Sequence, residues 1–287
     1  MKKFLKKIAL ILSVSLVSIA AIYTLIFIFG INNTGLASEV FYVIDKAEHT
    51  SGMPAVILGD SVCNQLWPQE KDSSNISHLG CNQAITSAGT YLLLKKYLEH
   101  NPQTERVYYV ILPRNLGNDL NLNYTYQYFV IPFVNDESMK LLDEDTKQKL
   151  YSKFGKFFVK NKYVKSLLRN NNLFMKQYLK CVKSRPETIE PKRLTPTSII
   201  YLLKMRELCR ERNIELKVLP LPMADKPENY GWEKFAQDII DNGLDDIFRE
   251  FIVKMRYCPE NWFGDGIHFK PKILDEHLEE LRAYVMN

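Results

Sequence analysis

The longest apolar stretch in the chain comes first. From Ile8 to Gly30 only Ser, Thr and Tyr interrupt a run of aliphatic and aromatic residues, and residues 8–37 carry no charge. About 20 such residues span a bilayer. Residues 1–30 are therefore expected to be a short cytoplasmic start and one transmembrane helix, and residues 31–53 a connection. Further on the pattern changes. Short continuous apolar runs predict strands over 54–58, 75–79, 106–112 and 214–221, each stopped by Gly or Pro or by a turn. Apolar residues at helical spacing predict helices over 84–100, 197–212 and 273–285. Strands that are apolar on both faces and alternate with helices imply an α/β domain with a covered parallel sheet, here over residues 54–287.

Residues 120–195 break that rhythm and read as an insertion. It opens on Tyr124, Tyr126, Tyr128, Phe129 and Phe133, a stretch suited either to packing or to stacking on sugar rings. Between Thr146 and Pro186 there are twelve Lys or Arg and no Asp or Glu. Leu150, Phe154, Phe157 and Phe158, then Val164, Leu167 and Leu168, fall at helical spacing. A basic, amphipathic helical pair is expected, with its lysines either solvated or set against an anionic lipid or glycan. Acidic residues gather instead in 225–250, where a solvated helix face is expected.

Charge sharpens the topology. Lys2, Lys3, Lys6 and Lys7 precede the apolar run, and without them 34 basic residues face 33 acidic ones. The net charge of +5 is thus a positive-inside signal and no argument for nucleic-acid binding. It places the N-terminus in the cytoplasm and the folded domain outside the cytoplasmic membrane. A cleaved signal peptide ending at Gly35-Leu36-Ala37 is the rival reading. The apolar core exceeds the roughly 7–15 residues usual for one, so the uncleaved anchor is preferred. The five cysteines (63, 81, 181, 209 and 258) are odd in number and widely spaced, which excludes a dense disulfide scaffold and a zinc pattern. Cys63 and Cys81 are either a pair in an oxidising compartment or two buried thiols.

Two motifs carry the candidate chemistry. Gly59-Asp60-Ser61 ends the first strand, and Asp265-Gly266-Ile267-His268 precedes the last helix. A serine hydroxyl needs a base to take its proton and donors to hold the oxyanion. Ser61 is the expected nucleophile and also the expected cap of the next helix, His268 the base, and Asp265 the group that fixes the imidazole. Neither motif means much alone; one after the first strand and the other before the last helix is a far more specific arrangement.

On these residues the chain resembles the SGNH/GDSL hydrolase superfamily over roughly 54–119 and 196–285. The resemblance implies a three-layer α/β/α, flavodoxin-like fold with a helical basic insertion, behind one N-terminal transmembrane helix. It implies no metal and no organic cofactor. It assigns oxyanion donors to Gly80, in Leu79-Gly80-Cys81-Asn82, and to an asparagine after the third strand. Asn115 in Leu112-Pro113-Arg114-Asn115 is preferred, with Asn118 in Gly117-Asn118-Asp119 as second choice, and this third motif departs from the family pattern. Arg114 is the candidate for holding an anionic donor or acceptor.

Within that superfamily the chain resembles the envelope proteins that work beside a membrane-bound O-acyltransferase in polysaccharide acetylation and teichoic acid D-alanylation. That resemblance implies that Ser61 accepts an acyl group, for which acetyl is the first choice, and passes it to a cell-envelope glycan. An anchored carbohydrate esterase uses the same residues with water as acceptor. A third reading is an inert accessory subunit that docks an acylation partner.

Overall fold

The computed structural model describes residues 2–28, 37–120, 124–182 and 192–286. The first helix, α1, covers Lys2–Ile28. Leu10, Leu12, Leu16, Val17 and Ile19 are all exposed on it, so it presents apolar side chains on every side. The expected bilayer-spanning helix is nonetheless not recovered: among the described residues no helix is long and apolar enough to cross a membrane.

The expected connection over 31–53 is corrected for its second half, residues 31–36 lying outside the described ones. Residues Ser38–Ala47 form α2. Val40, Val43 and Ala47, three and four residues apart, make one face of that helix and are buried in the core. The helix is also clipped at its far end, where Lys46 Nζ donates to Gln69 O, to Asp72 Oδ1 and to His78 O.

The sheet follows. Strands β1 (Ala55–Gly59), β2 (Ile76–Gly80), β3 (Arg106–Ile111) and β4 (Glu215–Pro220) are parallel and lie in the order β2-β1-β3-β4. All five residues of the inner strand β1 are buried, as a sheet covered on both faces demands. Between them run α3 (Ser61–Leu66), after β1, and α4 (Thr86–His100), after β2. The chain steps from β1 outward to β2, then back across to β3. Right-handed crossovers therefore send α3 and α4 to opposite faces of the sheet.

The chain between β3 and β4 holds the insertion. It consists of a π-type turn at Tyr126–Val130, then α5 (Ile131–Phe133), α6 (Ser138–Leu141), α7 (Glu144–Phe154), α8 (Lys156–Lys160), α9 (Lys162–Arg169) and α10 (Asn172–Cys181). The expected pair of helices is broken by its own sequence. Gly155, at a φ of 79°, separates α7 from α8. Asn161 and Asn171 cap α9 and α10 with their side chains. The aromatic residues pack: Tyr126 and Phe129 are buried, the rings of Tyr126 and Tyr178 lie 4.6 Å apart, and the Tyr126 and Tyr178 hydroxyls donate to Phe158 O and Phe154 O. Sugar stacking is thereby corrected for this stretch, Tyr124 alone being well exposed.

The long helix α11 (Pro196–Glu211) packs on α4 and leads into β4. A short parallel pair, β5 (Met223–Ala224) and β6 (Tyr257–Cys258), flanks α12 (Glu233–Asp241), and α13 (Pro271–Met286) closes the chain against α3. The acidic segment is not wholly solvated as expected. Asp238 is buried and takes the Arg193 guanidinium at 2.6–3.0 Å together with Leu194 N–H at 2.9 Å, fixing the return from the insertion.

Candidate active site

The order of winding reverses at β1, out to β2 and then back across to β3, and this switch point sets a crevice at the carboxyl ends of β1 and β3, where open α/β sheets place their ligands. The residues ending β1 leave no room. A Cβ on Gly59 would fall 2.1 Å from Val110 O and 2.5 Å from the Cys63 Cβ, so only glycine lets α3 start this close to β3.

Asp60 follows, and it takes the capping role expected of Ser61. Its Oδ1 accepts from Val62 N (3.0 Å) and Cys63 N (3.2 Å), while Oδ2 accepts from Leu112 N (2.9 Å) and Asn115 Nδ2 (2.7 Å). This buried carboxylate therefore joins the start of α3 to the end of β3. Burial pushes its pKa up, and all four donors work against that by favouring the ionised form. The division of labour leaves the Ser61 hydroxyl free of any capping bond.

That hydroxyl lies 2.8 Å from His268 Nε2, although 207 residues separate the two. On the other side of the ring, His268 Nδ1 is 2.8 Å from Asp265 Oδ2. Asp265 Oδ1 accepts from the backbone N–H groups of Ile267 (2.9 Å) and His268 (2.8 Å). Partial burial raises the Asp265 pKa, but the bonds from the His268 N–H, the His268 ring and the Ile267 N–H outweigh it and hold the carboxyl well below the usual range. With Nδ1–H donated to this carboxylate, Nε2 is the acceptor for the serine proton. The three sequence-predicted residues are thus brought together in the order that nucleophilic catalysis requires.

A residue that the sequence did not signal holds this contact in place. Gln65, one helical turn beyond Ser61 on α3, bonds the backbone of Phe269 in both directions. Its Nε2 donates to Phe269 O at 3.1 Å, and its Oε1 accepts from Phe269 N at 3.0 Å. The loop carrying His268 is therefore clipped to the same short helix that carries Ser61.

The oxyanion candidates separate into two roles. Cys81 N donates to Gly59 O at 3.0 Å, so the alternation of a parallel ladder turns the Gly80 N–H away from β1. A Cβ on Gly80 would come 2.9 Å from Asn64 N, which keeps that position small. Asn115 is buried and spends one amide N–H on Asp60, leaving the second without a partner among the described residues. Asn118 Nδ2 donates to Asn115 Oδ1 at 3.2 Å. The second-choice asparagine thus orients the first. The neighbouring Asp119 is structural: it accepts from Thr197 Oγ1 at 2.6 Å and from Lys149 Nζ at 2.9 Å.

Arg114 reaches solvent at this end of β3 and has no hydrogen bond or ion pair among the described residues. Desolvation lowers its pKa, against the carboxylates of Asp60 and Asp265, which raise it. Cys63 and Cys81 are buried free thiols, and burial pushes both pKa values up. Among the described residues no group of His, Cys, Asp and Glu is placed to hold a metal ion.

The site is open. The side chains of His268 and Asp265 are 38% and 57% exposed. Cavities of about 420 and 730 Å³ lie elsewhere, the first along β4 near Arg206 and Arg210, the second within the insertion between Phe154, Phe158 and Tyr178. No triad residue lines either. No family model, curated protein or solved structure matches the chain.

Proposed function

We propose that the chain is a membrane-anchored serine acyltransferase of the SGNH type, with the superfamily's three-layer, flavodoxin-like architecture, acting on a cell-envelope glycan. The observation that carries this reading is the unbroken relay from Ser61 Oγ through His268 to Asp265 at the crevice between β1 and β3. In the first half-reaction Ser61 Oγ attacks the acyl carbonyl while its proton passes to His268 Nε2. The second Asn115 N–H receives the oxyanion. Collapse breaks the bond to the donor's leaving group, which takes the proton from His268, and leaves an ester on Ser61. In the second half a sugar hydroxyl gives its proton to His268 and takes the acyl group, restoring Ser61. Asp265 offsets the imidazolium charge in both halves. No step calls for a metal or organic cofactor.

The anchor rests on the sequence alone, in which residues 8–37 carry no charge and 8–30 are almost wholly apolar. Its four leading lysines support a cytoplasmic N-terminus and an extracytoplasmic domain. A membrane-bound O-acyltransferase is the donor partner in this reading, and Arg114, which has no partner among the described residues, is available to an anionic substrate group.

The exposure of His268 and Asp265 favours a second reading, an anchored esterase. Water reaches an open acyl-enzyme, so transfer requires the partner or the glycan to cover the site. The deciding measurement is the ester-linked acyl content of envelope glycans in cells carrying the wild type or Ser61→Ala. A fall in the mutant is the expected result and supports transfer. A rise replaces it with hydrolysis. Unchanged ester content, when deletion of the whole chain does change it, makes the protein an inert accessory subunit.

A further inference from the structure

The basic insertion and the catalytic crevice lie at the same end of the sheet, and the chain enters the domain there. The helix α2 runs antiparallel to β2. Its Lys46 is bound to His78 O, inside the strand, whereas Glu39 O and Gly80 O, at the strand's carboxyl end, both lie within hydrogen-bond reach of the Gln69 side-chain amide. The start of α2 is therefore near the crevice. It follows α1 by nine residues, which span at most about 32 Å. The insertion reaches the same helix, for the Arg169 guanidinium at the end of α9 sits 3.5 Å from the centre of the Phe41 ring.

On the insertion, Phe157, Tyr163 and Leu173 are 62%, 68% and 64% exposed, and Phe174 is exposed beside them in sequence. These large apolar groups alternate with the exposed Lys156, Lys160, Lys162, Arg169, Lys176 and Lys180. No acidic residue occurs among them. Solvated structural helices seldom expose so many aromatics. Rings that enter the interface between lysines that meet phosphates are the signature of a surface that lies on an anionic bilayer.

From this juxtaposition we infer that helices α8–α10 rest on an anionic lipid surface and hold the crevice of Ser61 against it. The inference rests on the anchored reading and adds to it where the reaction takes place. Acyl exchange then occurs at the membrane plane, with a donor or acceptor presented there. A second contact fixes the orientation of the domain, which a single attachment point does not.

The test uses the full chain reconstituted in nanodiscs of phosphatidylcholine alone, or of phosphatidylcholine and phosphatidylglycerol at about three to one. Hydrogen exchange is read over residues 156–176. Exchange about tenfold slower on the anionic discs is expected, with the difference abolished by a Lys156→Gln/Lys160→Gln/Lys162→Gln variant and by about 0.5 M salt. An unchanged urea midpoint shows that this variant is folded. Equal exchange on both discs, with the chain inserted in both, overturns the inference and leaves the anchor intact. A chain that enters neither disc overturns the anchor. Sedimentation of the same protein with phosphatidylglycerol vesicles then decides the surface by itself: binding upholds it and no binding overturns it.

Discussion

Replacing Asp60 by alanine tests the joint between α3 and β3 while leaving all three relay residues in the chain. Four buried donors lose their acceptor at once. Loss of the helix cap costs about 1 kcal/mol. The Leu112 N–H and the Asn115 amide, left without partners, cost about 1–3 kcal/mol each. Relief from burying a carboxylate, whose pKa burial raises, works in the other direction. The net expectation is about 3–5 kcal/mol, a large share of the ~5–15 kcal/mol that holds a domain folded. Urea unfolding followed by the buried Trp67 and Trp232 reads this directly. A midpoint lower by about 1–2 M is expected. Turnover of a small ester by the folded fraction falls about 10²–10³-fold, because Asn115 loses the bond that aims its amide. Asp60→Asn keeps one acceptor oxygen but sets an NH2 against donors, so it falls between the two. An Asp60→Ala chain that unfolds within about 0.3 M of the wild type and hydrolyses the ester at the wild-type rate refutes the reasoning.

Asn115→Ala is expected to lower kcat about 10²–10³-fold, and Asn118→Ala only about tenfold, since it orients the donor without being one; equal losses in steady-state kinetics would reverse the two roles. Gln65→Ala unclips Phe269 and is expected to lower kcat about 10–100-fold with KM little changed, without abolishing activity as Ser61→Ala does. A rise in KM alone would place Gln65 in substrate binding instead. Asp265→Asn is expected to lower kcat about a thousandfold or more. Because the folded state depresses the Asp265 pKa, the stability it supplies is fully present above the ordinary carboxylate value of about 3.9 and is lost as pH falls through the lower, folded value. The stability difference between wild type and Asp265→Asn is therefore flat from neutral to pH about 5 and shrinks below about 4; a difference already fading at pH about 6 would contradict this.

Much of the sheet was legible because it is apolar locally. The runs at 54–58, 106–112 and 214–221 emerge as β1, β3 and β4 with their ends shifted by a residue or so. Ser61, Asp265 and His268 were legible because each lies in a short motif bound to an element boundary. The positioning groups were not. Gln65 bonds a residue 204 positions away, and no local pattern announces a glutamine whose amide meets distant backbone. Half of the Asp60 network could be read from the capping preference for Asp, but the half on Leu112 and Asn115 appears only when β1 and β3 lie side by side. The misreading of α2 had a remedy, since Val40, Val43 and Ala47 already share helical spacing. In the insertion, Gly155, Asn161 and Asn171 are ordinary helix-stop and cap residues that outweighed the continuous amphipathic stripe.

The two ends of the insertion meet at a neck. Thr195 N donates to Leu116 O, Thr195 Oγ1 to Asn118 O, and Thr197 Oγ1 to Asp119, so the chain leaves β3 and returns toward β4 through almost one place. Such a neck makes the insertion an exchangeable cartridge. Different sets of helices can be seated there without moving the strands that aim the relay, provided that a ring like Phe129 still lies over Gly89, where a Cβ would be only 3.2 Å away. The insertion can then vary in one part of the chain while the relay of Ser61, His268 and Asp265 stays fixed in another.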